Sequence, residues 1–180
     1  MPPSPRPNGC ASCLCSTLLA SRRGESLSLH DYTEFIRTLN EHRVRYLIIG
    51  GYAVAFHGHP RATDDVDVLI DPSEANVRRV ERALIAFVGI APRPEALRSR
   101  RGMVRVGGPS AHIDITTKVD GLAAFEPLWA RRERGEFMGE AAPFLSLRDL
   151  LRTKRAANRP KDQGDIAALD ALLTRSRRRK

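Results

Sequence analysis

The 180-residue chain is about one ordinary domain's worth, and no apolar run approaches the roughly 18 residues of a membrane span, so neither two independent cores nor a transmembrane helix is expected. It holds 30 Lys and Arg against 21 Asp and Glu, a net of +9 that first suggests a nucleic-acid binder. Residues 1–26 carry +2 of this and residues 175–180 carry +5, so the part between, residues 27–174, is nearly neutral and the excess is a property of the tails.

The first 26 residues read as a disordered Pro/Ser-rich extension. All three cysteines, Cys10, Cys13 and Cys15, fall there, so disulfides do not hold the folded part together. Their spacing lacks the second CxxC or HxxxH that a zinc site needs, and one arginine with four prolines imitates a signal peptide poorly.

Leu29, Tyr32, Phe35, Ile36 and Leu39 recur at helical spacing and predict a helix over 28–42, which feeds a strand over 44–49. Gly50-Gly51 ends that strand, a short helix follows over 52–57, and Gly58 to Arg61 form a loop before a second strand, Asp65 to Ile70. Asp71-Pro72-Ser73-Glu74 then reads as a helix start with Asp71 as N-cap. Residues 91–101 are Pro- and Arg-rich and are taken as loop. Met103 to Val106 and Ala111 to Thr116 form a hairpin across Gly107-Gly108-Pro109, and 121–133 is taken as helical. Ser146 and Asp149 make a capping box for a helix over 147–158, Pro160 breaks it, and a last helix runs over about 161–173. The expectation is a small α/β (α+β) domain with a mixed sheet flanked by helices, residues 146–174 forming a helical C-terminal part and 175–180 a basic tail.

Thr63-Asp64-Asp65-Val66-Asp67-Val68-Leu69-Ile70 is the most informative stretch. Residues two apart on a strand share a face, so Asp65 and Asp67 project together, roughly 6 to 7 Å apart along the backbone. Paired carboxylates at the head of an apolar strand repel, and a cation resolves this; hard oxygen ligands suit Mg²⁺ or Mn²⁺. The plainer alternative is an acidic strand end facing water. Asp114, on the polar face of His112-Ile113-Asp114-Ile115-Thr116, can bring a third carboxylate, and Gly50-Gly51 lies at a strand-to-helix junction where backbone N–H groups can approach a phosphate.

On the helix from Leu147, the apolar positions Leu147, Leu150 and Leu151 put Lys154 on the inward stripe, where it needs an anionic partner. Asp162 and Asp165 share the side of Ile166 and Leu169. Two readings stand: an ion pair joining the helices, or a lysine that reaches a bound phosphate. His57 and His59 are left out of catalysis, while Arg61 and Thr63, just before Asp65, are substrate-contact candidates. The arginines at 93, 98, 100, 101 and 105 read either as a solvated face or as a resting place for RNA.

Tyr46 to Gly51, Arg61 to Asp67 and the later Asp114 together resemble the nucleotidyltransferase superfamily, the DNA polymerase beta-like group, and most of all its small bacterial branch related to the AbiEii and MenT toxins. The resemblance spans roughly residues 30–170 and is most specific from Gly-Gly to Asp-x-Asp. It implies that Asp65, Asp67 and Asp114 hold Mg²⁺ (or Mn²⁺) and carry catalysis, and that Gly50 and Gly51, with Arg61, Thr63 and Lys154, bind a nucleoside triphosphate. Lys161, Asp162 and Asp165 match a late Lys-to-Asp motif of the same branch. The implied reaction moves a nucleoside monophosphate to a hydroxyl of a tRNA 3′ end, a protein or a small molecule, in a cytoplasmic enzyme with a possible antitoxin partner. The branch often has Ser where Gly51 stands, so a side-chain hydroxyl is missing at that place. The competing readings are a non-catalytic nucleic-acid-binding module and a metal-dependent nuclease using Lys118.

Overall fold

The computed structural model describes residues 16–19, 27–98, 102–122 and 124–178. Ser16–Leu19 forms a strand (β1), so the reading of residues 1–26 as disordered is corrected for these four residues. The Thr-Leu-Leu run suits an extended edge position, and the strand pairs in parallel with a later one, Ser16 opposite Met103. The three cysteines lie outside the described residues.

Leu29–Glu41 (α1) starts with a capping box in which the Ser28 hydroxyl accepts the Asp31 N–H and the Asp31 carboxylate accepts the Ser28 N–H. It buries Tyr32, Phe35, Ile36 and Leu39, the stripe visible in the sequence. Tyr46–Ile49 (β2) is buried along its whole length and passes without a loop into Gly50–Phe56 (α2). Asp65–Ile70 (β3) has the predicted bounds. Glu74–Val88 (α3) begins later than expected: Ser73, not Asp71, is its N-cap. Asp71 instead accepts the Ser73 N–H and pairs with Arg45 at 3.0 Å, a tertiary partner invisible to local pattern. The stretch taken as loop holds a short helix, Pro94–Arg98 (α4), before Met103–Gly107 (β4) and His112–Thr116 (β5), the expected hairpin.

The expected helix over 121–133 is only Phe125–Ala130 (α5). It is followed by a hairpin that the apolar pattern does not reveal, Glu133–Phe137 (β6) and Glu140–Phe144 (β7). Its two-residue turn takes positive φ at both Met138 and Gly139, as a tight hairpin turn requires, and only the glycine signals this. Leu147–Ala157 (α6) is capped by Ser146 as predicted, and a 3₁₀ turn, Pro160–Asp162, leads into Gln163–Arg178 (α7). Among the described residues no helix is long and apolar enough to cross a membrane.

The strands form one mixed sheet in the order β1-β4-β5-β3-β2-β7-β6. β3 is central, antiparallel to β2 and parallel to β5. Val66, Val68 and Ile70 are fully buried with Ile113 and Ile115 of β5, and this apolar bed holds the polar face of the same two strands in place. The buried apolar side chains form one core that joins the sheet to α1, α3 and α6.

Candidate active site

Because β3 and β5 run parallel with Asp67 opposite Asp114 and Asp65 opposite His112, four polar side chains share one face of the sheet. They line a cavity of about 470 Å³ together with Gly50, Arg61, Thr63, Lys154 and Lys161, among others. Desolvation, first, and then the neighbouring charges of Asp114 and Asp65 push the Asp67 carboxyl up to about 6, against the opposing pull of Lys154 and His112. Asp114 is held in a fork by Arg105 from β4, with Nε and Nη2 each 2.7 Å from a carboxylate oxygen. This draws Arg105 out of the solvated or RNA-facing cluster expected for it. Arg98 reaches Glu81 at 4.0 Å, and residues 100 and 101 lie outside the described residues.

Gly50 takes φ +66°, and a Cβ there would overlap the Asp67 carboxylate, so the chain turns from β2 into α2 directly against the acidic strand. At Gly51 a Cβ would stand 2.5 Å from Thr63 Oγ1 and 2.8 Å from Thr63 Cβ. The missing hydroxyl at position 51 is thus matched by a threonine occupying that side-chain space from another segment. Gly51→Ser is expected to cost about 1–3 kcal/mol by overpacking, and Thr63→Gly in the same chain is expected to relieve it. Urea unfolding of the two single variants and the double variant measures the coupling; additive effects would refute the shared space.

The opposite wall is cationic. Lys154 is 4% exposed and lies 3.1 Å from Asp162 Oδ1 and 2.8 Å from Asp165 Oδ2, both aspartates being 2% exposed or less. Arg61, from the loop before β3, pairs with Asp165 at 2.9 Å, and Arg159 pairs with Asp162 at 2.7 Å. Burial raises the Asp162 pKa, but hydrogen bonds from Arg159 and Lys154 outweigh it and hold the carboxyl near 2. The ion pair of the first sequence reading is therefore present, and Lys154 also borders the cavity. Asp162 and Asp165 support this wall from behind.

Of the candidates named from sequence, Gly50, Gly51, Arg61, Thr63, Asp65, Asp67, Asp114, Lys154 and Lys161 border one cavity. Lys118 is exposed and is not among the residues that line it. His57 hydrogen-bonds the Leu145 carbonyl at 2.8 Å and does not line the cavity. Sequence reasoning missed His112, Arg105 and Arg159. The period of two through Asp114 marks His112, whereas Arg105 is found only from the hairpin register that sets it opposite Asp114.

Among the described residues no three His, Cys, Asp or Glu groups are already gathered for a metal ion. The donor chemistry nevertheless fits a hard divalent ion: adjacent carboxylates, one with its pKa raised by desolvation and like charge, are what such an ion neutralises.

No protein-family model matches the chain, and no curated protein matches it in sequence. Solved structures do. The lincomycin-bound lincosamide antibiotic adenylyltransferase LnuA superposes with a TM-score of 0.55 at 14% identity, over 82% of this chain and 99% of that one. A candidate nucleotidyltransferase of Thermotoga maritima, TM1012, superposes with a TM-score of 0.53 at 18% identity, over 82% and 92%. The chain has the nucleotidyltransferase fold.

Proposed function

We propose that this chain is a divalent-metal-dependent nucleotidyltransferase that moves a nucleoside monophosphate from a nucleoside triphosphate to a hydroxyl acceptor. The observation that carries this reading is the meeting of two unlike walls in one cavity: Asp65, Asp67 and Asp114 on the sheet, and Lys154, Arg61, Arg159 and Lys161 across from them. An acidic wall alone suits a cation and a basic wall alone suits an anion; a metal-bound triphosphate needs both.

Asp65 and Asp67 would hold Mg²⁺ or Mn²⁺, with Asp114 as third ligand or general base; the ion supplies charge neutralisation at the phosphates. Gly50 and Gly51 let the backbone come close to the phosphates, and Thr63 presents its hydroxyl beside them. Lys154, braced by Asp162 and Asp165, keeps its ammonium in place for the developing pyrophosphate. The acceptor oxygen forms a bond to the α-phosphorus, the α–β phosphoanhydride bond breaks, and pyrophosphate leaves. The acceptor proton goes to Asp114, which Arg105 orients.

The acceptor is a hydroxyl of a small molecule, a protein or a tRNA 3′ end. The likeness in fold to a lincosamide adenylyltransferase puts small hydroxylated compounds first in the assay. The toxin reading adds a growth defect on expression that a companion antitoxin relieves. The test is incubation of the full chain with Mg²⁺, each α-labelled nucleoside triphosphate, and either total RNA or a panel of small alcohols. Label transfer with pyrophosphate release, absent in Asp65→Ala, is expected. No release above that of Asp65→Ala with any donor and acceptor would overturn the reading.

A further inference from the structure

His112 is 8% exposed, yet it borders the cavity, and its Nδ1 is buried without a hydrogen-bond partner. That atom lies 2.9 Å from Asp65 Oδ1, close enough for an ion pair but without the alignment of a hydrogen bond. The Asp65 carboxylate beside it supplies opposite charge but no aligned hydrogen bond, so a cation seated between the two atoms would satisfy both. A separation of about 3 Å is that of neighbouring ligands on one small divalent ion with bonds near 2.1 Å. The other ring nitrogen, Nε2, faces Asp114 Oδ2 at 3.6 Å, on the side where a metal-bound imidazole gives its remaining N–H to a carboxylate.

Asp114 is differently placed. Both of its oxygens accept from Arg105, so its charge is already neutralised and its lone pairs are partly occupied. Among the described residues no arginine forks Asp65 in this way: its cavity-side neighbour across the register is His112.

We infer that His112 Nδ1 is a direct ligand of the divalent ion held by Asp65 and Asp67, replacing Asp114 in the inner ligand set and leaving Asp114 to the acceptor. This rests on the reading that the acidic wall binds a metal. A nitrogen ligand shifts preference away from Mg²⁺, which favours all-oxygen surroundings, toward first-row transition ions, of which Mn²⁺ suits the accompanying carboxylates.

The test uses Mn²⁺ alone with the full-length protein and reads the bound ion by pulsed electron paramagnetic resonance. Wild type is expected to show the ¹⁴N modulation of a directly bound imidazole. Protein labelled with ¹⁵N-histidine is expected to lose that ¹⁴N signal and gain the ¹⁵N one, which needs no substitution and so no concern over folding. His112→Asn is expected to bind Mn²⁺ on the order of tenfold more weakly, with Mg²⁺ affinity changed by less than about twofold. Mn²⁺ bound tightly in wild type with no histidine nitrogen coupling would overturn the inference while leaving the carboxylate site intact. Failure of wild type to bind Mn²⁺ any better than Asp65→Asn would overturn both the inference and the metal reading beneath it.

Discussion

Asp67→Asn is expected to make the metal-free protein more stable at pH 7.5 while abolishing nucleotide transfer. The Asp67 pKa is about 6 in the fold, against about 3.9 in an unfolded chain, so the folded state holds the proton more tightly. Stability is accordingly lost as pH rises from about 4 to about 6, and the full penalty of roughly 2–3 kcal/mol persists above that range. Asparagine fills the same space without the charge and escapes the penalty. In EDTA at pH 7.5 its melting temperature should exceed that of wild type by about 4–12 °C, and near pH 4 the difference should vanish. Mg²⁺ should raise the melting temperature of wild type and leave the variant nearly unmoved, reversing their order. Transfer activity should fall by about a hundredfold to a thousandfold or more, the lower figures being those for loss of a single charge-stabilising group at a reacting centre. Scanning calorimetry with and without metal checks the prediction; a variant no more stable than wild type in EDTA at pH 7.5 would refute the desolvated-carboxylate account.

Lys154→Met has the opposite character. The side chain is nearly isosteric, but its removal leaves Asp162 and Asp165 buried with less compensating charge, a situation that costs about 3–5 kcal/mol. For a domain whose total stability is about 5–15 kcal/mol, this is a large share. The loss should be concentrated in α6, the 3₁₀ turn and α7, because Lys154 joins them, while the central strands keep most of their protection. Hydrogen exchange resolves the two regions and urea unfolding gives the total. A change below about 1 kcal/mol would show that the arginines at 61 and 159 carry the aspartates alone.

The elements with strong local signals were legible in the sequence. Asp65–Ile70 announces itself through an alternation that puts its acids on one face, α1 through helical spacing, and α6 through helical spacing with its Ser146 cap. The β6–β7 hairpin was not, because Glu133–Phe137 carries one buried apolar residue and its turn uses Met138 at positive φ, an unusual choice for a side chain other than Gly or Asn. Asp71 illustrates the same limit: its cap motif is well formed, but Arg45 and the Ser73 N–H outbid the expected helix start. At the site, carboxylates and glycines could be found by type and spacing. The Arg105 fork and the place of Thr63 in the space of residue 51 depend on register and loop path, which no single segment encodes.

The Arg61–Asp165 and Lys154–Asp162 pairs have a consequence for the order in which the protein comes into being. The acids of the sheet are all synthesised by residue 114, whereas the lysine across the cavity arrives forty residues later and its bracing aspartates later still. A chain emerging from the ribosome thus carries the acidic wall and Arg61 first, and the rest of the cationic wall is braced only once the 3₁₀ turn and α7 have been made. Under the proposed reading, translation products that stop before Lys154 would lack one wall of the cavity and transfer nothing.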